Sequence, residues 1–533
     1  RPKAVGAKFQ EGLNKTFGYF NGFVAKAIMW DVTFGALKKD KVDADGNPVL
    51  DEAGNPVREG PELRFIVAFL AVGSIFFTFW YGWINVRGFK HAIDVVRGKF
   101  DDPDDEGQIS HFKALTSALS ATIGLGNIAG VAVAVNTGGP GAIVWMMVLA
   151  VFGMTAKFGE CTLAQMFRTI DDRGEVSGGP MYYLDKGFKQ LGPAMAVVGK
   201  ILAVLFAILV MLAALGGGNM FQSNQAFEAF RSAVETASED PLSAGTQRAM
   251  AMGFGIIMAG LVAVVILGGI TRIGDATSKI VPTMCGIYII ASLIIIFRNI
   301  AHLPEVLGTI FSEAFNMESA AGGILGVMII GFQRAAFSNE AGIGSAAIAH
   351  SAARTDEPVR EGMVAMLGPF IDTIIVCLMT GMVVTITDAY LTAPDTANGA
   401  GITMHAFEKS HLLGDWFPYV LTVCIILFAF STMISWCYYG ERGWGYLFSP
   451  KTVVIYRLVF VACVFIGAVA SLSSVIDFSD LMLLSMAFPN IIGGIVLAPL
   501  AKRKLKDYWA RYTSGNMEPG KPAPSPARDD FEI

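Results

Sequence analysis

The sequence predicts an all-α polytopic membrane protein that crosses the bilayer eleven times, on three observations. Hydrophobic residues fill 53% of the 533 positions and charged residues only 16%, with a mean hydropathy of +0.52; a water-soluble domain carries about 45–50% and about 25%. Apolar runs of membrane length recur along almost the whole chain. Lys and Arg collect in every second connection between those runs, the pattern of loops that stay cytoplasmic.

A helix needs about 20 apolar residues to cross a hydrocarbon core about 30 Å thick. Runs of that kind lie near 65–86, 114–137, 141–166, 195–217, 249–269, 279–298, 321–349, 361–387, 416–439, 453–471 and 479–500. Arg87, Lys90, Arg97, Lys99 and Lys113 follow the first run, and Arg168, Arg173, Lys186 and Lys189 follow the third. The alternation continues through Arg272 and Lys279, Arg354 and Arg360, and Arg442 and Lys451 to the cluster Lys502-Arg503-Lys504-Leu505-Lys506. It predicts an N-terminus outside and a C-terminus in the cytoplasm, in a plasma (inner) membrane protein.

Residues 1–64 read as an extracytoplasmic extension, long enough to escape the charge rule. Within it 4–37 is amphipathic, and the turn signals Asp45-Gly46-Asn47-Pro48 and Ala53-Gly54-Asn55-Pro56 predict a small exposed hairpin. An outward N-terminus is compatible with a removed signal peptide. The stretch from Ser514, rich in Pro, Gly and charge, reads as a disordered tail. A net charge of −5 spread over alternating loops, without a basic-aromatic stripe, argues against nucleic acid. Cys161, Cys285, Cys377, Cys424, Cys437 and Cys463 show no CxxC spacing and read as packing residues. His350, His405 and His411 lack paired spacing and predict no metal site.

The run SATIGLGNIAGVAVAVNTGGPG at 120–141 is an apolar helix interrupted at Gly124-Leu125-Gly126-Asn127. Hydrocarbon tolerates such a gap only where the freed backbone lines a cavity or binds something, so the break points to a transporter. Free N–H groups at the start of the second half suit a carboxylate, and free C=O groups at the end of the first suit a cation. The amides of Leu125, Gly126 and Asn127, with Thr122 and Gly124 beside them, are candidate substrate contacts; the carbonyls of Ser120 and Ile123 are candidate sodium ligands. Close helix packing by Gly-x-Gly is the competing reading.

ATIGLGNIAGVA, GGPGAIVWMM, the K-x-x-E of Lys157 and Glu160, SGGPMYYL at 177–184, FSNEAGIGSAAIAHSAA at 337–353, GPFIDT at 368–373 and FSTMISWCYYGE at 430–441 occur in order. Together they resemble the alanine or glycine:cation symporters. The resemblance implies a leucine-transporter-type core of two inverted five-helix repeats, here 114–298 and 321–501. The helix at 65–90 is then an addition outside that core, and 502–533 a cytoplasmic tail. A discontinuous helix should open each repeat, at 114–137 and at 321–349. The second contains Ser338-Asn339-Glu340-Ala341-Gly342-Ile343-Gly344-Ser345, small and polar in mid-membrane. Paired interruptions of this kind point to a midplane site.

Ser431 and Thr432 can offer hard oxygen ligands to sodium, and Trp436 lies one turn beyond Thr432 on the same face. The resemblance places the two hydroxyls at a sodium site facing Ser120 and Ile123, with Thr432 and Trp436 bordering the substrate. Back-bonding of both hydroxyls to their own helix, with Trp436 as packing, is the alternative. Similar family segments turn polar side chains toward the substrate from the stretch 216–224, which makes Asn219, Gln222 and, more weakly, Asn224 candidates; an ordinary Gly-rich helix stop is the alternative. The bulk of Trp436 implies a small substrate.

Ionisable residues at membrane depth are functional suspects. Asp372, and Glu340 beside Asn339 in the second break, are candidate proton carriers, cation ligands or, as the leading reading, polar ties to broken-helix backbone. Lys157 and Glu160, at i and i+3 near a cytoplasmic end, read as a local ion pair. The function expected is sodium-coupled import of small neutral amino acids, alanine or glycine, by alternating access, with Na+ as coupling ion and no organic cofactor. A proton-coupled permease is the runner-up. An intramembrane enzyme would have to rest on Ser338, Glu340 and His350, which lack triad spacing, and a channel finds no filter signature.

Overall fold

Where long runs of Leu, Ile, Val, Phe and Ala sit in hydrocarbon, the backbone has no partner but itself, and helices result. The computed structural model describes residues 26, 29–36, 38–40, 48–49, 56–60, 62–102, 104–124, 126–238, 242–317, 323–393, 399–410, 414, 416–469, 480–515 and 517. Among these, eight helices are long and apolar enough to cross a membrane: Ala142–Met166, Pro193–Glu235, Ala244–Ile266, Gly269–Arg298, Pro358–Ile386, Phe417–Leu447, Pro450–Val469 and Asp480–Thr513. A ninth span results if His111–Thr122 and Gly126–Gly138, bent by 56°, count as one.

The protein is thus an integral membrane protein with many crossings, and length alone does not resolve all eleven expected. Two apolar helices fall short for visible reasons. α1, Phe65–Trp80, is 16 residues long and ends where Gly82 and Trp83 turn left-handed, at φ 65° and 56°. A second helix, Gly323–Asn339, is 17 residues long and stops at a break in mid-membrane.

The first expected interruption lies between α2, His111–Thr122, and α3, Val131–Gly138. Ile123 leaves the helix with ψ 90°, and a π-helical turn, Gly126–Gly130, leads into α3; Leu125 lies outside the described residues. α4 is Ala142–Met166. α5, Pro193–Leu215, passes through the π turn Gly216–Met220 into α6, Phe221–Ala237. α7 is Gly269–Arg298 and α8 the helix Gly323–Asn339. Glu340, Gly342 and Gly344 then take φ 51°, 82° and 91° before α9, Ser345–His350. The span Pro358–Ile386 contains a third π turn, Phe370–Cys377. α10 is Phe417–Leu447, α11 Val453–Val469 and α12 Ala487–Thr513.

α4 is buried over most of its length and packs on α1, α8, α9 and the Pro358–Ile386 span. Gly331 permits the α4–α8 approach, since a Cβ there would sit 2.7 Å from Ala142 O. In the N-terminal extension, the strands Lys39–Asp40 and Arg58–Glu59 pair antiparallel. The turn residues 45–47 and 53–55, most of 4–37, and the tail beyond Met517 lie outside the described residues.

Gly344 must be left-handed, and a Cβ on it would lie 2.7 Å from both Asn490 Oδ1 and Pro180 Cγ. Gly344→Ala is expected to lower the thermal midpoint in detergent, by about 1–2 kcal/mol for the backbone alone and further for the clash. Gly260→Ala, a helical position with open space around it, should leave the midpoint unchanged or raise it.

Candidate substrate and cation site

The two breaks meet. Asn127, fully buried, donates from Nδ2 to Ser338 Oγ at 2.9 Å and to Asp372 O at 3.1 Å, while its Oδ1 accepts from the Gly124 N–H at 3.2 Å. A Cβ on Gly126 would lie 3.6 Å from Phe337 O. Thr380 Oγ1 donates to Asn127 O at 3.1 Å. One amide side chain therefore ties the first break to the second and to the Pro358–Ile386 span; the sequence offered the Asn127 backbone N–H to a carboxylate. That N–H donates to Gly124 O at 3.2 Å.

The expected cation residues also converge. Thr432 Oγ1 donates to Ser120 O at 3.0 Å, and Ser120 Oγ donates to Ser431 O at 2.6 Å. Ser431 Oγ back-bonds to Phe428 O at 3.0 Å, as the alternative reading foresaw, but Thr432 reaches across to α2. Ile123 is fully buried beside them in sequence. Of the four expected oxygens, the Ser120 carbonyl at the end of the half-helix and the Thr432 hydroxyl are in contact; hard oxygens of this kind have the chemistry that fits sodium.

A cavity of about 460 Å³ opens between the breaks, the α5–α6 turn and α10. Thr122, Gly124, Gly126, Gln222, Thr432 and Trp436 all line it. Gln222 donates from Nε2 to Gly217 O at 3.1 Å and leaves a buried Oε1 without a partner. Gly218 lets Trp436 fold over the α5–α6 turn, for a Cβ there would lie 2.3 Å from Trp436 Cβ. Asn219 points away from the cavity and donates to Phe460 O at 2.7 Å, which ties the turn to α11; Asn224 accepts from Gln225 Nε2 at 3.2 Å.

Among the ionisable suspects, Glu340 lines the cavity and accepts from Ser345 Oγ at 2.5 Å. Asn339 Oδ1 accepts from the Ala341 N–H at 3.0 Å. Asp372 is fully buried; Oδ1 accepts from Thr373 Oγ1 at 2.5 Å and Oδ2 has no partner. Lys157 and Glu160 stand 3.9 Å apart as a pair, but both are buried. Glu160 also accepts from Asn490 Nδ2 at 2.9 Å, which donates to Gly342 O at 2.8 Å, so the pair braces the second break.

Sequence reasoning passed over Arg334 and Asp480, which line the same cavity. Arg334 is the one charged residue of α8, and a lone Arg in an apolar helix is a signal that could have found it. It also missed Glu361, buried and shared by His111 Nδ1 and, at 2.5 Å, by His350 Nδ1. The enzyme reading fails here: Ser338 bonds Asn127, Glu340 bonds Ser345 and His350 bonds Glu361, so the three do not converge.

A family model described as the sodium:alanine symporter family matches residues 52–521. The chain belongs to that family. The sodium/alanine symporter AgcS of Methanococcus maripaludis is 43% identical over 447 residues, covering 83% of this chain and 94% of its own. The probable sodium/glutamine symporter GlnT of Bacillus subtilis is 35% identical over 454 residues, covering 85% and 89%. The crystal structure of MhsT in complex with L-phenylalanine aligns with a TM-score of 0.46 at 14% identity, over 74% of this chain and 99% of that one. This symporter-family protein is a transporter, not an enzyme.

Asn219 and Gln222 separate structure from site. Asn219→Leu removes the hydrogen bond that ties the turn to α11 and should cost about 1 kcal/mol of stability, read as a lower thermal midpoint. Gln222→Leu, at a cavity-lining position, should leave the midpoint of the ligand-free protein in place and remove any upward shift that a ligand of the cavity brings.

Proposed function

We propose that the protein imports small neutral amino acids, alanine or glycine, with sodium as the coupling ion, by alternating access across the plasma (inner) membrane. The single observation that carries this reading is the Thr432–Ser120 contact, which sets an all-oxygen cluster beside the cavity at the first break. The zwitterion's carboxylate is taken by the backbone N–H groups of Leu125 and Gly126 at the first break, and Gln222 and Trp436 close over its other side. Sodium bridges the Ser120 and Ile123 carbonyls and the Ser431 and Thr432 hydroxyls. It thereby joins α2 to α10 and shifts the population toward the state that accepts substrate.

In the same reading the chain crosses eleven times, N-terminus outside and C-terminus in the cytoplasm. Residues 1–64 form the outer extension, 65–90 an added helix, 114–298 and 321–501 the two inverted repeats, and 502–533 the tail. Glu340 and Asn339 act as ties that hold the second break, and Asp372 lies under the first.

Proteoliposomes given sodium and proton gradients separately test the coupling. Accumulation of alanine should follow the sodium gradient alone. Thr432→Ala should raise the sodium concentration for half-maximal uptake about tenfold, the effect of some 1.4 kcal/mol of lost ligation. The unpartnered carboxylate oxygen of Asp372 favours a second reading, proton coupling; uptake driven by the proton gradient without sodium, and lost in Asp372→Asn, would decide for it.

A further inference from the structure

A second cavity, of about 330 Å³, lies away from the transport site between the end of α1 and the C-terminal part of α12. Its walls carry Arg87, Lys502 and Lys506 together with Trp80, Trp509 and the exposed Phe79. Both helices change character here. α1 ends its apolar run at Trp80, and α12 passes from Ile-Ile-Gly-Gly-Ile-Val-Leu-Ala-Pro-Leu-Ala into Lys-Arg-Lys-Leu-Lys. Trp at such a level and Lys or Arg just beyond it mark the boundary between hydrocarbon and headgroups.

The three cations have no carboxylate partner among the described residues. Arg87 bonds Gly82 O at 3.2 Å and lies over the Trp509 ring at 5.3 Å; Lys502 lies over the Trp80 ring at 4.4 Å. The nearby carboxylates are spent elsewhere, since Arg511 takes both Asp507, at 2.8 Å, and Glu357, at 2.6 Å. The buried Trp80 Nε1 is a donor without an acceptor. Three positive charges and an idle N–H around one cavity call for an anion with several oxygens, and a cavity at headgroup level beside an exposed Phe calls for one that carries hydrocarbon. The aromatic faces that could cage a quaternary ammonium are already covered by Arg87 and Lys502, which disfavours a choline headgroup.

We propose that this cavity binds the phosphate of an anionic phospholipid headgroup, with Arg87, Lys502, Lys506 and Trp80 Nε1 as its partners and an acyl chain lying along Phe79. Basic pockets between transmembrane helices are a recurring form of such sites. A bound lipid would join α1 to α12 on the outer surface of the bundle.

The test uses the full-length protein in detergent, offered equimolar phosphatidylglycerol and phosphatidylcholine of the same acyl chains, with retention read by native mass spectrometry. One phosphatidylglycerol per chain should be retained in preference. Each Gln substitution at Arg87, Lys502 or Lys506 should weaken it about fivefold, as expected for one basic residue near a membrane surface, and R87Q/K502Q/K506Q should abolish the preference. Lys506→Gln, at a side chain without a recorded partner, guards against misfolding, and K502R/K506R should restore retention. Equal retention of the two lipids, or an unchanged preference in R87Q/K502Q/K506Q, overturns the proposal. So does displacement of the lipid by millimolar glycerol 3-phosphate, which would make the cavity a site for a soluble phosphate ester.

Discussion

Everything in this fold rests on how two helices can stop in mid-membrane without leaving their backbone groups bare. An unsatisfied N–H or C=O in hydrocarbon costs several kcal/mol, and the solution is mutual. Asn127, from the first break, spends its amide on Ser338 and on the carbonyl of Asp372, while its oxygen caps Gly124. At the second break Asn339 and Asn490 do the same work for the Ala341 N–H and the Gly342 carbonyl. Polar side chains in mid-membrane are thus first a structural necessity, and the cavity is the space left between two breaks that hold each other.

That arrangement puts the Ser120–Thr432 contact and the cavity at one place. Because α2 ends at the break, the Ser120 carbonyl has no turn above it to accept from, and Thr432 of α10 supplies the missing donor. Sodium at the cluster would take the hydroxyl's place on that carbonyl, so ion binding and the α2–α10 contact draw on the same atoms. Trp436, one turn further along α10, closes the cavity only because Gly218 in the α5–α6 turn has no side chain. Thr432 and Trp436, both lining the cavity, therefore share one face of α10.

The breaks, the α10 hydroxyls and seven cavity-lining positions could be read from the sequence because each is a local exception to an apolar run. Gly124, Gly126, Gly342 and Gly344 stand where a helix would prefer Ala, and Ser431-Thr432 where it would prefer Leu. What could not be read was direction. Asn219 and Gln222 are three positions apart, yet one faces α11 and the other the cavity, because the intervening π turn shifts the helical phase. Glu361 joining His111 and His350 was equally hidden, since no periodicity links residues on three separate elements. The number of spans was blurred at α1 and α8, whose apolar stretches run past the ends of the helices they form.

The ends of the two broken helices are not treated alike. At the far end of α9, His350 O accepts from Gln165 at 2.6 Å, and Ser351 O and Ala353 O accept from Arg168 at 3.0 and 2.6 Å. Gln108 N–H bonds Ala352 O at 2.9 Å and Arg354 N–H bonds Ile109 O at 2.8 Å, stitching that end to the segment before α2. Glu361 then takes one histidine from each helix. The cavity, by contrast, extends from the breaks toward Arg334 and Asp480, two opposite charges that act on each other across its wall. Separating α2 from α9 at the clamped end would strip a buried carboxylate of a partner, a change that costs about 3–5 kcal/mol when a buried pair is broken. Opening that end therefore requires energy from elsewhere, because the clamp and the backbone bonds beside it must part together.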